Sequence, residues 1–164
     1  MKIIRNAVPD NIIDLCNEDI DSKIYEKVWV TNTGWAPELY DGIAGSCIAA
    51  NLNSSCLISI RTKLKDYFPV CKKIHYHYYL WKKHSGINWH DDGNWKFGAT
   101  LYLNDWKKEW GGLFLWEDNG LHVMCPQKGM LVVNTEIKYH CVTPVSTSAP
   151  YDRRSIQIFG IDKE

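Results

Sequence analysis

Apolar and polar positions alternate with two different periods along this chain. In the first 70 residues the period is helical. Around "VPDNIIDLCNED", Pro9 and Asp10 stand at a helix start, with Ile12, Ile13 and Cys16 following at helical spacing. In "SSCLISIRTKLKDYFP" the serines occupy the capping position, Leu57, Ile60, Leu64 and Tyr67 share one face, and Pro69 ends the run. Between these segments "IYEKVWVTN" reads as a strand. Residues 30–56, rich in Gly, Asn and Ser, leave open whether a lid forms there.

From Cys71 the period shortens to two. The predicted strands are "CKKIHYHYYLW", "INWHDD", "KFGATLYLN", "GGLFLWED", "LHVMC", "GMLVVNT", "YHCVTPV" and "RRSIQIFGI", punctuated by turns at "DDGN", "EDNG" and "QKG". Eight short strands without helices between them favour a sandwich, barrel or jelly roll, with the N-terminal helices packed on one sheet. The length of 164 residues suits a single, mainly β (α+β) domain: a helical support region over 1–70 and a β core over 71–164.

Composition narrows the partners. Nineteen basic residues balance nineteen acidic ones, so no global field draws in nucleic acid or anionic lipid. Lys72, Lys73, Lys82 and Lys83 read as the wet edge of a strand, where lysine discourages sheet-to-sheet pairing. No apolar run approaches the roughly 20 residues that span a bilayer, and "MKIIRNAVPDN" lacks a signal-peptide core, so an intracellular, cytoplasmic protein is expected. Six cysteines without CxxC spacing are expected as reduced thiols, neither a disulfide frame nor a zinc site. Most of the eight Trp and nine Tyr are expected in the core.

The stretch "NWHDDGNW" is the main candidate for chemistry. Read as a strand, it puts His90 and Asp92 on one face and Asp91 on the other. That pair needs a third ligand, and His75, His77, His84, His122 and His140 are available. His75 and His77 share a strand face and make a rival pair. His140 has the richer context, since "YHCVTPV" is followed by the arginine strand "RRSIQIF". Two histidines and one carboxylate make the facial arrangement of non-haem Fe(II) oxygenases, which leaves positions open for a chelating cosubstrate and dioxygen. Arg153 suits the far carboxylate of such a cosubstrate, because guanidinium grips carboxylate through parallel charge-assisted bonds. Ser155 shares its face, and Tyr102 and Thr100 offer further hydroxyls. Plainer readings stand beside these. "HDDG" alone is an acidic turn, His75 and His77 are strand histidines, and His84 and His122 lie at surface turns. Gly111 and Gly112 make a hairpin or bulge, and Cys141 packs.

Taken in order, "HDD", "TLYLN", "GGLFLW", "PQKGMLVV", "YHCVTPV" and "RRS" resemble the prolyl 4-hydroxylase-like branch of the 2-oxoglutarate- and Fe(II)-dependent dioxygenases, over about Tyr78 to Gly160. The resemblance implies a double-stranded β-helix (jelly roll) with Fe(II) on His90, Asp92 and His140. It implies 2-oxoglutarate held by Arg153, Tyr102 and Ser155, with Tyr79, Trp81, Thr100 and Val142 around it. Trp89, Trp95 and Trp116 flank the expected mouth, where each either holds substrate or packs into the core. The implied reaction hydroxylates an unactivated C–H bond while 2-oxoglutarate is decarboxylated to succinate, consuming O2, with ascorbate as a reductant. Asp92 argues for hydroxylation, since related halogenases replace that carboxylate. Collagen-type prolyl hydroxylases carry lysine where this chain has Arg153, so the likeness is to the oxygen-sensing and microbial or phage types. The expected substrate is a prolyl or other residue of a peptide. The alternatives are a free amino acid or small metabolite, or a non-enzymatic cupin-like metal-binding interaction domain.

Overall fold

The computed structural model describes residues 1–26, 29–31, 39, 47–136 and 138–162. In chain order its elements are β1 (Lys2–Ile4), α1 (Asp10–Glu26), β2 (Val30–Thr31), β3 (Ile48–Asn51), α2 (Ser54–Leu64), β4 (Lys73–Trp81) and β5 (Ile87–His90). They continue with β6 (Phe97–Tyr102), β7 (Phe114–Glu117), β8 (Leu121–Met124), β9 (Leu131–Asn134), β10 (His140–Val142) and β11 (Arg153–Ile161). Two antiparallel sheets form, ordered β1-β9-β6-β11-β4-β3-β2 and β5-β10-β7-β8. This is the jelly-roll arrangement expected from the strand pattern.

Strand alternation divides the interior into two layers. On β4, Tyr76, Tyr78 and Leu80 face the helices, meeting Ile13, Cys16 and Ile20 of α1 and Cys56, Ile60 and Leu64 of α2. Tyr79 and Trp81 face the other way, into a second cluster with Tyr102, Phe114, Trp116 and Val142 between the sheets. The helices thus seal one face of the large sheet and leave the other for the site. A polar tie pins them: the buried Asp19 carboxylate accepts from Tyr78 Oη and Asn53 N, each at 2.9 Å, and pairs with Lys23.

Several expectations change. α1 continues through Glu26, so the strand expected in "IYEKVWVTN" keeps only Val30–Thr31; Lys27, Val28 and Asn32 lie outside the described residues. The cap of α2 is Asn53, whose side-chain oxygen accepts from Cys56 N at 2.8 Å, and the serines sit inside the helix. The segment 1–70 is more than helical support, since β1 pairs with β9 and β3 with β4. Of the possible lid over 30–56, Ile48–Asn51 is a strand of the large sheet, and residues 32–38 and 40–46 lie outside the described residues. Cys16, Cys56, Cys71, Cys125 and Cys141 are free thiols. No helix among the described residues is long and apolar enough to cross a membrane.

Candidate metal centre

β5 and β10 are paired, and His140 stands directly opposite His90. Their ring centroids are 4.3 Å apart. Asp92 Oδ1 lies 3.8 Å from Nε2 of each histidine, so the three donors converge on one point. Among the described residues they form the only cluster of three or more metal-ligating side chains. Asp92 reaches this point by a route that strand alternation does not give. β5 ends at His90, and Asp92 belongs to a turn in which Trp95 N donates to Asp92 O at 3.1 Å and Gly93 has φ +45°. Asp91 is exposed and accepts from Gly93 N at 2.9 Å, fixing the turn. On the facing strand Gly98 leaves the space, since a Cβ there would collide with Asp92 Oδ2.

Each histidine is oriented from behind. Nδ1 of His90 is 2.7 Å from Asn88 O, and Nδ1 of His140 is 2.8 Å from Lys138 O. A carbonyl accepts only, so each Nδ1 carries the proton and each Nε2 turns a lone pair toward Asp92. Burial, and next the neighbouring His140, hold His90 below its ordinary pKa. The donor set therefore fits a divalent cation such as Fe(II).

The cavity around these donors has a volume of about 370 Å³ and extends past Thr100 and Tyr102 to Arg153. Arg153 is 1% exposed, and its Nε and Nη1 meet no hydrogen-bond partner among the described residues. Its guanidinium lies 4.7 Å above the Trp81 ring and 5.3 Å from the Tyr102 ring. Gly112, at φ +58°, admits it closely, since a Cβ there would lie 3.2 Å from Arg153 Nε. Burial depresses the Arg153 pKa while Tyr102 opposes that shift, and burial raises the Tyr102 phenol. A buried cation with free donors is costly unless an anion meets it, so this end of the cavity fits a carboxylate.

The other expected residues divide. Tyr79, Trp81, Thr100, Val142 and Trp95 line the cavity with the residues above. Ser155 does not: it is fully buried behind Trp81, whose Nε1 donates to Ser155 Oγ at 3.3 Å. Trp89, next to His90 along β5, points away from the cavity and stacks on Tyr139 at 5.5 Å, while the register shift in the β5–β10 pairing lets Ile87 line the cavity as well as His90. Trp116 is buried and stacks on the exposed His122 at 5.1 Å. His75 and His77 lie off the cavity; burial, then His75, lower the His77 pKa. Sequence reading missed Phe159 and Gln157 of β11, which line the cavity. Period-two spacing from Arg153 would have found both. Phe159 stacks on Trp95 at 4.7 Å, and the Gln157 Oε1 accepts from Thr100 Oγ1 at 2.8 Å.

Residues 74–160 match the family model of the 2OG-Fe(II) oxygenase superfamily, more than half of the chain. The chain belongs to this superfamily. This oxygenase is accordingly a 2-oxoglutarate-dependent dioxygenase whose family works with Fe(II), 2-oxoglutarate and O2, and the non-enzymatic alternative gives way. No curated protein matches the sequence. Among solved structures it is similar to a Pseudomonas putida prolyl-4-hydroxylase, with 17% identity and TM-score 0.74 over 99% of this chain and 92% of that one. It is also similar to a Trichoplax adhaerens prolyl hydroxylase in complex with a hypoxia inducible factor oxygen degradation domain peptide, with 15% identity and TM-score 0.75 over 98% and 83%. The likeness extends to SnoN, an α-ketoglutarate-dependent epimerase from nogalamycin biosynthesis, with 10% identity and TM-score 0.68 over 97% and 77%. At these identities the shared property is the double-stranded β-helix fold.

Proposed function

We propose that this oxygenase hydroxylates an unactivated C–H bond in a residue of a peptide, a prolyl ring foremost, with 2-oxoglutarate as cosubstrate. The supporting observation is one cavity that holds a His90–Asp92–His140 trio at its wall and, at its end, a buried guanidinium whose Nε and Nη1 have no partner among the described residues. In this reading the trio holds Fe(II) and Arg153 holds the far carboxylate of 2-oxoglutarate. Tyr102 adds its hydroxyl to that carboxylate. Trp81 and Tyr79 wall the cosubstrate off from water, and Ser155 acts by holding the Trp81 indole.

Bound there, Fe(II) supplies the dioxygen activation that couples decarboxylation of 2-oxoglutarate to oxidation of the substrate. The protein supplies position. The two Nδ1–H tautomers keep both Nε2 atoms unprotonated, and Asp92 brings the third donor with a negative charge. At the opposite rim the Trp95–Phe159 stack offers a flat apolar wall next to the Gln157 amide. An uncharged ring beside peptide carbonyls matches that surface. Arg153, at the closed end, is the only Lys or Arg among the described residues lining the cavity, which disfavours an anionic substrate at the rim. The fold likeness to the nogalamycin-biosynthesis epimerase favours, as a second reading, a small metabolite or free amino acid.

Succinate release measured over proline-containing peptides, free amino acids and alkylated oligonucleotides separates these readings. Stimulation by peptides above the substrate-free rate is expected. Stimulation by free amino acids alone moves the assignment to the second reading, and stimulation by oligonucleotides alone contradicts both.

A further inference from the structure

The two histidines of the site are oriented by the same device, a backbone carbonyl two residues upstream, but the two carbonyls are not equally secured. Asn88 lies within β5, between His90 and Ile87, the two residues that pair with β10. Lys138 precedes β10, which begins at His140, so the carbonyl that orients His140 lies outside the ladder. Asn134 takes the place of the ladder. It is the last residue of β9, is 4% exposed, and clamps Lys138 at both backbone groups. Its Oδ1 accepts from Lys138 N at 2.9 Å, and its Nδ2 donates to Lys138 O at 3.1 Å. The same Lys138 oxygen accepts from His140 Nδ1 at 2.8 Å, so its two lone pairs serve the clamp and the histidine. Asn134 also lies opposite Gly98 in the β6–β9 register, and with Asp92 and His140 it lines a small cavity of about 20 Å³.

We infer that Asn134 is a positioning residue for the metal centre: through the Lys138 carbonyl it fixes the tautomer and ring orientation of His140 and thereby sets the affinity for the metal ion. This rests on the iron site proposed above. Groups that orient a metal-binding histidine from behind typically change metal affinity about 10- to 100-fold when removed. Asparagine at a strand end reads in sequence as a turn residue, which is why the pattern gives no hint of the role.

The test is anaerobic titration of the full chain with Fe(II), and with Co(II) as a spectroscopic probe, in wild type, Asn134→Ala and Asn134→Ser. The expected result is a rise in the metal dissociation constant of about 10-fold or more for Asn134→Ala, with Asn134→Ser between it and wild type. The 2-oxoglutarate affinity of the metal-saturated variants stays at the wild-type value, because the Arg153 end of the cavity is untouched. A lowered melting temperature with an unchanged metal constant overturns the inference and leaves Asn134 a loop anchor. Nitrogen NMR of the metal-free wild type gives a second reading that needs no variant. His140 protonated on Nδ1 is required, and an Nε2–H tautomer overturns the inference. If wild type itself binds neither metal, the iron-site reading fails; if wild type binds and the variants bind equally, only the Asn134 role fails.

Discussion

Arg153→Met sets the stability of the empty fold against the binding of the cosubstrate. Arg153 carries two buried donors, Nε and Nη1, without partners among the described residues. Each unsatisfied buried donor costs about 1–3 kcal/mol, so the pair costs roughly 2–6 kcal/mol. Contact with the Trp81 face returns about 1–2 kcal/mol. Methionine fills a similar length without polar atoms, so the ligand-free fold is expected to gain about 2 kcal/mol. For a chain of this length that corresponds to a rise of roughly 4–8 °C in melting temperature. Binding moves the other way. Losing a buried partner for a carboxylate costs about 3 kcal/mol or more, which is at least roughly 100-fold in 2-oxoglutarate affinity. The assay is thermal melting of wild type and Arg153→Met, metal-loaded, with and without 2-oxoglutarate, alongside direct titration. Wild type should be stabilised by 2-oxoglutarate, and the variant should melt higher without it and not respond to it. A variant that melts several degrees lower and still binds 2-oxoglutarate normally would show Arg153 to be a satisfied structural cation and remove it from cosubstrate binding.

Three further perturbations probe other parts of the site and its support. Gly98→Ala places a methyl where the Asp92 carboxylate lies, and that carboxylate is free to swing away, so metal affinity should fall about 10-fold or more while the melting temperature stays within about 2 °C. Normal metal binding in Gly98→Ala, followed by the same titration, would show that Asp92 does not need its present position. Burial opposes ionisation of Asp19, but the bonds from Asn53 N, Lys23 and Tyr78 win and hold its pKa below the ordinary carboxylate value. Its contribution to stability is therefore full above the unfolded pKa near 3.9 and is lost as pH falls through the lower folded value. Urea denaturation from pH 6 downward should show that loss in wild type and a flatter profile in Asp19→Asn, and parallel profiles would remove Asp19 from the role. Trp95→Ala should raise the peptide KM by about tenfold with the 2-oxoglutarate KM unchanged, and equal effects on both would place Trp95 outside substrate contact.

The alternation of β4 was fully legible: reading every second residue of "CKKIHYHYYLW" separates the helix face from the cavity face. The convergence of His90, Asp92 and His140 was legible too, though by a different local geometry. Asp92 was chosen over Asp91 by strand alternation, yet the strand ends at His90 and a turn delivers the carboxylate. What sequence patterns could not give was register. The shift between β5 and β10 brings Ile87 to the cavity beside His90, and Ser155 is hidden behind Trp81. β1 and β3 escaped notice because they are short strands set among helices in the first 70 residues, outside the continuous run of alternating segments that begins at Cys71. Gly98 and Asn134 act only through their neighbours across the sheet, and one-dimensional spacing does not contain those neighbours.

The most direct measurement is anaerobic addition of Fe(II) and 2-oxoglutarate to the purified chain, monitored for the visible metal-to-ligand charge-transfer band. The band is expected in wild type and lost in His90→Ala, Asp92→Ala and His140→Ala. A wild type with no band and no succinate release, or an undiminished band in His140→Ala, would contradict the assignment of this cavity as the iron and 2-oxoglutarate site.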